Sequence, residues 1–237
     1  MTKRKLVAFT GSGVSAESGL KTFRDSDGLW EEYNVYDVAT PEAWNRDRKL
    51  VLEFYNARRR QVINAKPNDA HLALAKLESK FDVDIITQNI DDLHERAGSS
   101  KVLHLHGEIM KSQSTLYRNL VYPIKGSELN EGDLCERGAQ LRPFVVWFGE
   151  EVPMIRVGEQ IISRAEIILI VGTSLQVYPA AGLVQFAPSA SKKYYVDPNP
   201  DSNIFLVNTE VVNSKAGIAV PMLVEKLMAD YDAESGF

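Results

Sequence analysis

Cysteine and long hydrophobic runs are nearly absent from this chain of 237 residues. The single cysteine, Cys135, excludes an intramolecular disulfide and is typical of a reducing compartment. No apolar stretch approaches the roughly 20 residues that a membrane-spanning helix needs. The first apolar run, residues 6–9, is too short for a secretory signal peptide. We therefore expect a soluble, cytoplasmic protein without a membrane partner.

An excess of positive charge is also missing. The chain has 27 lysine and arginine residues against 32 aspartate and glutamate residues, which gives a formal net charge of −5. This balance argues against a general affinity for nucleic acid, although lysine-bearing protein segments remain compatible partners. The length predicts one α/β domain with a modest insertion rather than two domains of equal size.

What the chain does contain is a glycine-rich turn directly after a short apolar strand. Residues 6–9 predict a buried strand, which breaks into Gly11-Ser12-Gly13 and then into small residues, the pattern of a tight turn and a helix start. The spacing Gly11-x-Gly13-x-x-Ala16 fits the fingerprint whose glycines admit a pyrophosphate to a helix N-terminus. Small-residue turns after strands are also common without a ligand, so this spacing alone leaves a purely structural role open.

A polar segment follows the predicted buried strand over residues 82–87. It reads Gln88-Asn89-Ile90-Asp91-Asp92, and ligands of open α/β sheets bind at the carboxyl ends of the strands. Amides and carboxylates at this edge can bind hydroxyl groups and a carboxamide, the groups that a nicotinamide riboside offers. Asp91 or Asp92 could equally cap a helix over residues 92–97.

Two histidines end the next predicted strand, residues 101–105. Strand alternation puts His104 and His106 on one side and Leu105 on the other. A histidine at a strand end is commonly a hydrogen-bonded structural residue. The place of His106 beside Gly107 at the ligand edge favours a general base instead, because a neutral imidazole can take a proton from a hydroxyl group.

The remaining pattern predicts regular elements around an irregular insertion. Helices are expected over residues 47–65, 67–81 and 220–228, and strands over residues 141–150, 166–171, 192–196 and 204–207. Between residues 108 and 140 the α/β rhythm stops, which indicates a small subdomain of irregular or β type. Gly172-Thr173-Ser174 follows the strand over residues 166–171 and forms a second small-residue turn at the ligand edge.

Five separated motifs together resemble those of the sirtuins, which are NAD-dependent protein deacylases. They are GSGVSAESGLKTFR (residues 11–24), TQNID (87–91), HLHG (104–107), LRPFVVWFGE (141–150) and GTSLQVYPA (172–180). The resemblance covers nearly the whole chain and implies an α/β fold. A Rossmann-like parallel sheet of six or more strands would carry helices on both faces, with NAD at its switch point. A single catalytic domain would then comprise a large subdomain, about residues 1–32, 73–107 and 141–237, and a small inserted one, about residues 33–72 and 108–140.

The same matches imply roles for individual residues. His106 would be the general base. The residues implied to bind NAD are Gly11, Ser12, Phe23, Arg24, Gln88, Asn89, Asp91, Gly172, Thr173 and Ser174. Asp197 stands where many members have an asparagine beside the adenine ribose, and it can accept from hydroxyl groups but not donate, so its contact and that of Asn199 stay open. An acylated peptide would add as a strand in a groove lined by Val145, Trp147, Gly149, Glu150 and Val177.

The inserted subdomain departs from the family pattern. Sirtuins commonly carry two Cys-x-x-Cys pairs there, whereas the matching positions in this chain are Ser114, Tyr117, Leu134 and Arg137, and Cys135 lies one position out of register. A structural zinc ion needs four thiolate or imidazole ligands, so we predict no zinc. Apolar burial would then have to hold the subdomain together through Leu116, Leu120, Tyr122, Ile124 and Leu134.

Tyr55 and Arg58 suggest which acyl group is removed. They are three residues apart on one helix face and resemble the Tyr-x-x-Arg pocket of sirtuins that remove succinyl and malonyl groups. A guanidinium can hold a carboxylate with two parallel hydrogen bonds, and the phenol can add a third. Spacing alone also allows a solvated basic face, and it does not separate Arg58 from Arg59.

The sequence therefore predicts an NAD-dependent protein-lysine deacylase that releases nicotinamide and O-acyl-ADP-ribose and favours succinyl- and malonyl-lysine. We expect a monomer acting on acylated lysine side chains of proteins. A plain deacetylase is the alternative, and a hydride-transferring dehydrogenase and an NAD-sensing binding module are rivals from other classes. The acidic ribose-binding residue of dehydrogenases, about 20 residues past the glycines, lacks a following strand here, and a sensor would not need His106.

Overall fold

The computed structural model describes residues 3–21, 29–30, 33–200 and 206–235. The strands of this part of the chain are β1 (Lys5–Thr10), β2 (Leu29–Trp30), β3 (Tyr33–Asn34), β4 (Asp82–Thr87), β5 (Val102–His104), β6 (Gly107–Ser114), β7 (Val121–Pro123), β8 (Leu141–Val145), β9 (Ile167–Val171), β10 (Lys192–Val196) and β11 (Thr209–Val212). The α-helices are α1 (Val35–Val38), α2 (Pro41–Arg46), α3 (Arg48–Asn64), α4 (Asp69–Lys76), α5 (Leu93–Arg96), α6 (Ile155–Ile162) and α7 (Ala216–Ser235).

The main sheet has six strands in the order β11-β10-β9-β1-β4-β5, and every neighbouring pair is parallel. The central strand β1 pairs with β4 on one side and β9 on the other, and its residues 6–9 are fully buried. Continuous apolar runs of this kind are typical of parallel strands that are covered on both faces. The chain fills one half of the sheet before it crosses to the other, so a topological switch point lies beside β1. The predicted Rossmann-like fold class is confirmed.

Helices cover both faces of this sheet. On one face α4 and α7 pack against the strands, with Leu74 and Val220 in contact with the side of β1 that carries Leu6. On the other face α6 and a 3-10 segment, Ala180–Phe186, pack against Val7. None of the described helices combines the length and apolar character needed to span a membrane.

A second, three-stranded antiparallel sheet has the order β7-β6-β8. It shares a buried cluster with α3, in which Phe54 and Val51 of the helix lie with Ile109 and Val145 of the sheet. The inserted segment of residues 108–140 contains most of β6 and all of β7 and is otherwise irregular, which agrees with the expected irregular or β type. The division into two subdomains at the bounds given above stays a prediction.

Several element bounds differ from the sequence predictions. The expected strand over residues 141–150 ends at Val145 and pairs with β6 in the small sheet. Helix α4 ends at Lys76 and continues as a 3-10 turn, Leu77–Ser79, and α7 begins at residue 216 rather than 220. The last strand lies at Thr209–Val212. The predicted strand over residues 204–207 falls partly outside the described residues.

Candidate active site

A cavity of about 900 Å³ opens at the carboxyl ends of the parallel strands. This volume is in the range of about 300–1,000 Å³ that small-molecule sites occupy. Among the described residues, every predicted site residue lines it: Gly11, Ser12, Tyr55, Arg58, Gln88, Asn89, Asp91, His106, Val145, Trp147, Gly149, Glu150, Gly172, Thr173, Ser174, Val177, Asp197 and Asn199. Phe23 and Arg24 lie outside the described residues.

The two glycine turns of the cavity touch each other. Gly11 donates its N–H to the carbonyl of Val171 at 3.0 Å, and Gly13 donates to the carbonyl of Gly172 at 2.8 Å. A Cβ atom on Gly13 would lie 2.7 Å from the Cα of Gly172, a glycine whose φ is +62°. The glycines are therefore required for the close approach of the turns after β1 and β9.

The helix expected after the first turn does not form within residues 12–21. Two short 3-10 turns, Ser12–Val14 and Ala16–Ser18, occupy this stretch. Because tertiary bonds to the turn after β9 hold the backbone N–H groups of Gly11 and Gly13, local sequence pattern alone could not predict this conformation. The polar side chains that the two turns place along the cavity include the hydroxyl groups of Ser12, Thr173 and Ser174.

Ser15 is the centre of a buried polar cluster. Its Oγ donates to Asp91 Oδ2 at 3.1 Å and accepts from Asn89 Nδ2 at 3.1 Å. Burial raises the pKa of Asp91, although bonds from Leu93 and Ser15 oppose the shift. The other carboxylate oxygen of Asp91 accepts the N–H of Leu93 at 3.2 Å, whereas Asp92 forms no side-chain cap. Asp91 thus caps the start of α5 and also lines the cavity, and its contact with a ligand stays a prediction.

Two further histidines, His71 and His94, lie next to this cluster, a position that sequence reasoning did not predict. His71 Nδ1 accepts the N–H of Asn68 at 3.3 Å, and its Nε2 lies 3.4 Å from Ser15 Oγ. The His94 ring lies 4.8 Å from the His71 ring. Burial lowers the pKa of His71 to about 4 and that of His94 well below its usual value. His71 stands three residues after Asn68, where a capping box has its acceptor, which signals a helix start but no site.

His106 is held as a neutral imidazole. Its Nδ1 donates to the carbonyl of Gln88 at 2.9 Å, which leaves the lone pair on Nε2. Burial lowers the pKa of His106, and the bond to Gln88 opposes this only in part. The ring lines the cavity beside the turn after β4. A neutral imidazole with an accepting Nε2 is the state that a general base requires.

His104 has a different environment. Its Nδ1 bonds to the carbonyl of Asn89 at 2.9 Å, and its Nε2 bonds to Glu95 Oε1 at 2.7 Å. Burial lowers the pKa of His104, but the bond and charge of Glu95 outweigh this effect and raise it overall. Leu105 between the two histidines is fully buried and belongs to the cluster that contains Phe9 and Ile86, whereas β5 already ends at His104.

Helix α3 separates two neighbouring arginines. Arg58 is 7% exposed and lines the cavity beside Tyr55. Arg59 is fully buried and donates to the carbonyls of Ile109 and Ser127, at 2.8 Å each, and to Asn56 Oδ1 at 2.7 Å. The structure thus distinguishes the two residues that spacing could not, because Arg59 connects α3 to the inserted segment of residues 108–140.

The loop after β8 is fixed by an ion pair. Arg142 donates to the two carboxylate oxygens of Glu150 at 2.7 and 2.9 Å, and Glu150 also accepts the backbone N–H of Trp147 at 2.9 Å. The Arg142 guanidinium lies 3.4 Å from the centre of the Trp147 ring, and the indole N–H donates to Tyr55 Oη at 3.1 Å. Glu150 therefore organises the cavity wall.

The positions that match the zinc cysteines form hydrogen-bonded turns. Ser114 Oγ accepts the N–H groups of Leu116 and Tyr117, at 3.4 and 3.2 Å, and bonds to the thiol of Cys135. Across the described ranges no cluster of three or more histidine, cysteine, aspartate or glutamate residues could hold a metal ion.

The prediction that five apolar residues hold this subdomain together is wrong for two of them. Leu116 is 74% exposed and Leu134 is 54% exposed, whereas Ile124 packs against the buried cluster that contains Phe54. The packing comes instead from Ile109 and Leu129, which are buried with α3. Asn56 on the helix adds two bonds to the backbone of Leu129, at 3.0 and 3.1 Å.

Some cavity residues were not anticipated as site residues, among them Ser15, Ile90, Tyr178 and Lys215. Lys215 immediately precedes α7. Since the sequence pattern placed the start of that helix four residues too late, Lys215 was not assigned to the ligand edge.

Comparison with known proteins agrees with the motifs. Residues 11–179 match the Sir2 family. A Helicobacter pylori protein named NAD-dependent protein deacylase is 48% identical over 225 residues, which are 95% of this chain and 98% of that protein. A Bacteroides thetaiotaomicron protein of the same name is 50% identical over 202 residues, 83% of this chain and 86% of that protein.

Solved structures show the same architecture. A mutant Sir2 homologue in complex with ADP-ribose has a TM-score of 0.88 and 37% identity, over 96% of this chain and 93% of that chain. A Sir2 protein bound to a propionylated peptide has a TM-score of 0.75 and 29% identity, over 96% and 93% of the two chains. On the family match, the sequence identity and the shared fold, the chain belongs to the Sir2 family.

Proposed function

We propose that this enzyme, an NAD-dependent protein deacylase of the Sir2 family, removes succinyl and malonyl groups from lysine in preference to acetyl groups. The observation that carries the proposal is a nearly buried guanidinium, that of Arg58, on the cavity wall beside Tyr55. A buried cation in a substrate cavity favours a substrate that carries a carboxylate.

The groups along the cavity suit NAD. Two small-residue turns that touch each other offer hydroxyl groups, and the turn after β4 offers the amides of Gln88 and Asn89 and the carboxylate of Asp91. The first turn, with Gly11 and Ser12, would hold the pyrophosphate. The turn after β9, with Gly172, Thr173 and Ser174, would hold the adenosine half together with Asp197 and Asn199 of the loop after β10. Gln88, Asn89 and Asp91 would hold the nicotinamide riboside. When bound, NAD supplies the glycosidic bond that is broken as nicotinamide leaves.

His106 would act as the general base. Since Nδ1 is committed to the carbonyl of Gln88, Nε2 is the atom that would take a proton from a ribose hydroxyl group. The lowered pKa of His106, caused by burial, keeps Nε2 unprotonated near neutral pH.

The expected selectivity follows from hydrogen bonds to a charged group. Arg58 can bind the terminal carboxylate of a succinyl or malonyl group through two N–H donors, and the hydroxyl group of Tyr55 can donate a third hydrogen bond. Such bonds contribute roughly 1.5–3 kcal/mol each, enough for a preference of about tenfold to a hundredfold. An acetyl group has no carboxylate, so it forms none of these hydrogen bonds and its binding is not strengthened by them.

The test compares Arg58→Met with Arg60→Met on one peptide carrying either succinyl- or acetyl-lysine. Arg60 lies on the same helix but is exposed and pairs with Glu128 at the surface, so it is a matched control. We expect Arg58→Met to lower the succinyl-to-acetyl ratio of kcat/KM at least about tenfold, and Arg60→Met to leave the ratio unchanged. An unchanged ratio in Arg58→Met would leave a plain deacetylase as the function.

A further inference from the structure

We infer that Trp147 is a positioning residue for the acyl pocket. Its indole N–H fixes the hydroxyl group of Tyr55 so that this hydroxyl donates its own hydrogen to the carboxylate of an acidic acyl group. The inference rests on the proposed preference for acidic acyl groups, and it adds a residue that sets this preference without touching the acyl group's carboxylate.

The direction of one hydrogen bond carries the inference. An indole nitrogen can only donate, so in the 3.1 Å contact between Trp147 Nε1 and Tyr55 Oη the tyrosine oxygen is the acceptor. The hydrogen of the Tyr55 hydroxyl must then point away from Trp147. Both side chains are buried, and both line the cavity together with Arg58. Burial also raises the pKa of Tyr55 well above its usual value, so the hydroxyl keeps its hydrogen.

The indole has two close side-chain neighbours, and the backbone of Trp147 is fixed as well. The guanidinium of Arg142 lies over one face of the ring, 3.4 Å from its centre. The ring of Trp44 lies 5.6 Å away, centre to centre. Glu150 accepts both the guanidinium bonds of Arg142 and the backbone N–H of Trp147. Trp147 therefore presents a fixed donor to Tyr55, and the Arg142–Glu150 ion pair supports it.

A positioning role and a purely structural role predict different kinetics. If Trp147 only filled space, its loss would slow the removal of every acyl group to a similar degree. If it orients the Tyr55 hydroxyl, the loss affects chiefly acyl groups that carry a carboxylate, because only these accept from that hydroxyl. The succinyl-to-acetyl ratio of kcat/KM separates the two cases.

The experiment is a double-mutant cycle of Trp147→Phe and Tyr55→Phe, measured on one peptide in its succinyl and acetyl forms. Phenylalanine keeps an aromatic ring at position 147 but removes the N–H. We expect Trp147→Phe to lower the ratio about threefold to tenfold, mainly through a higher KM for the succinyl peptide, and Tyr55→Phe to lower it about tenfold or more. The double variant should match Tyr55→Phe within about twofold, because the indole acts only through the tyrosine hydroxyl.

Trp44→Phe is the matched control. It replaces a neighbouring indole but keeps the N–H of Trp147 and the Arg142–Glu150 pair that fixes it, so the ratio should not change. Should Trp147→Phe fold poorly by circular dichroism, benzothienylalanine at position 147 keeps the shape of tryptophan, lacks the N–H and should give the same lowered ratio.

Two results would overturn the inference alone: a normal ratio in the variant without the N–H while Arg58→Met lowers it, or losses that multiply in the double variant. A wild-type enzyme without any acidic preference would overturn the inference together with the proposed function.

Discussion

At the scale of single residues, environment decides what a histidine does. His104 and His106 are two positions apart, and each donates a hydrogen bond from Nδ1 to a backbone carbonyl. Only His104 has a carboxylate, Glu95, at its other nitrogen, so its pKa is raised while that of His106 is lowered, chiefly by burial. The sequence favoured His106 as the base through its place beside Gly107, and the different partners of Nε2 add a physical reason for that choice.

His106→Ala should lower kcat by about two to four orders of magnitude, the usual consequence of losing a general base. Binding of ADP-ribose should persist, because the glycine turns and the Ser15 cluster are untouched. Steady-state kinetics and titration calorimetry measure the two quantities. Near-normal turnover by this variant would remove His106 from the role of base.

The buried histidines predict a loss of stability in acid. Because burial lowers the pKa of folded His71 to about 4, below the usual 6.5, the unfolded chain takes up this proton first. The contribution is fully present above about pH 6.5 and is lost as the pH falls towards 4, by at most about 3 kcal/mol. The His94 ring, whose pKa is also lowered, adds to the same trend.

The variant His71→Gln isolates this effect. Glutamine is an ordinary capping-box residue at this helix position and does not titrate. Between pH 6.5 and 4 the free energy of unfolding, from urea titrations, should fall less steeply in the variant than in the wild type. Parallel curves would show that His71 is not buried in its neutral form.

At the scale of elements, α3 uses consecutive arginines for separate tasks. Arg59→Met removes a buried cation that donates to three acceptors. They are Asn56 on α3 and the backbone carbonyls of Ile109 and Ser127 in the inserted segment. We expect it to lower the free energy of unfolding by about 2–4 kcal/mol, measured by urea titration. The exposed variant Arg60→Met should stay within about 0.5 kcal/mol of the wild type. Similar small losses in both variants would contradict this account of Arg59.

The hydrogen-bonded turns at the four zinc positions predict independence from metal. Ser114 supplies an oxygen acceptor to its own turn, which a metal-bound thiolate would otherwise organise. Strong chelators should therefore change neither the melting temperature nor the activity. Elemental analysis is the direct check, and stoichiometric zinc in the purified protein would show the prediction to be wrong.

The sequence predicted elements well where local pattern suffices. The apolar run of residues 82–87 coincides with β4, and the periodic segment of residues 47–65 contains α3. Contacts between distant segments were not predictable. The pairing of β8 with β6, the 3-10 turns held by the neighbouring glycine turn, and the exposure of Leu116 all depend on tertiary partners.

The same limit applies to the candidate site. The motifs predicted which polar residues meet there, because parallel strands bring their carboxyl ends to one edge of the sheet. They could not place His71 behind Ser15, or the Trp147 N–H on Tyr55, which is 92 residues away in the chain. Each of these contacts depends on side chains from separate elements that meet only in the folded protein.

At the scale of the whole molecule, the six-stranded sheet supplies one set of cavity walls, and α3 with the three-stranded sheet supplies another. The turns after β1, β4, β9 and β10 bring groups that suit NAD, and α3 with the loop after β8 brings Tyr55, Arg58 and Trp147. The groups that suit NAD are expected of any member of the Sir2 family. We propose that the second set decides which acyl group the enzyme accepts.

A competition measurement with the wild-type enzyme tests this claim most directly. Equimolar acetyl, malonyl and succinyl forms of one peptide react together with NAD, and mass spectrometry follows each substrate, so that the relative rates equal the ratios of kcat/KM. We predict that the malonyl and succinyl peptides disappear about tenfold to a hundredfold faster than the acetyl peptide. Equal rates, or faster loss of the acetyl peptide, would contradict the acidic acyl pocket.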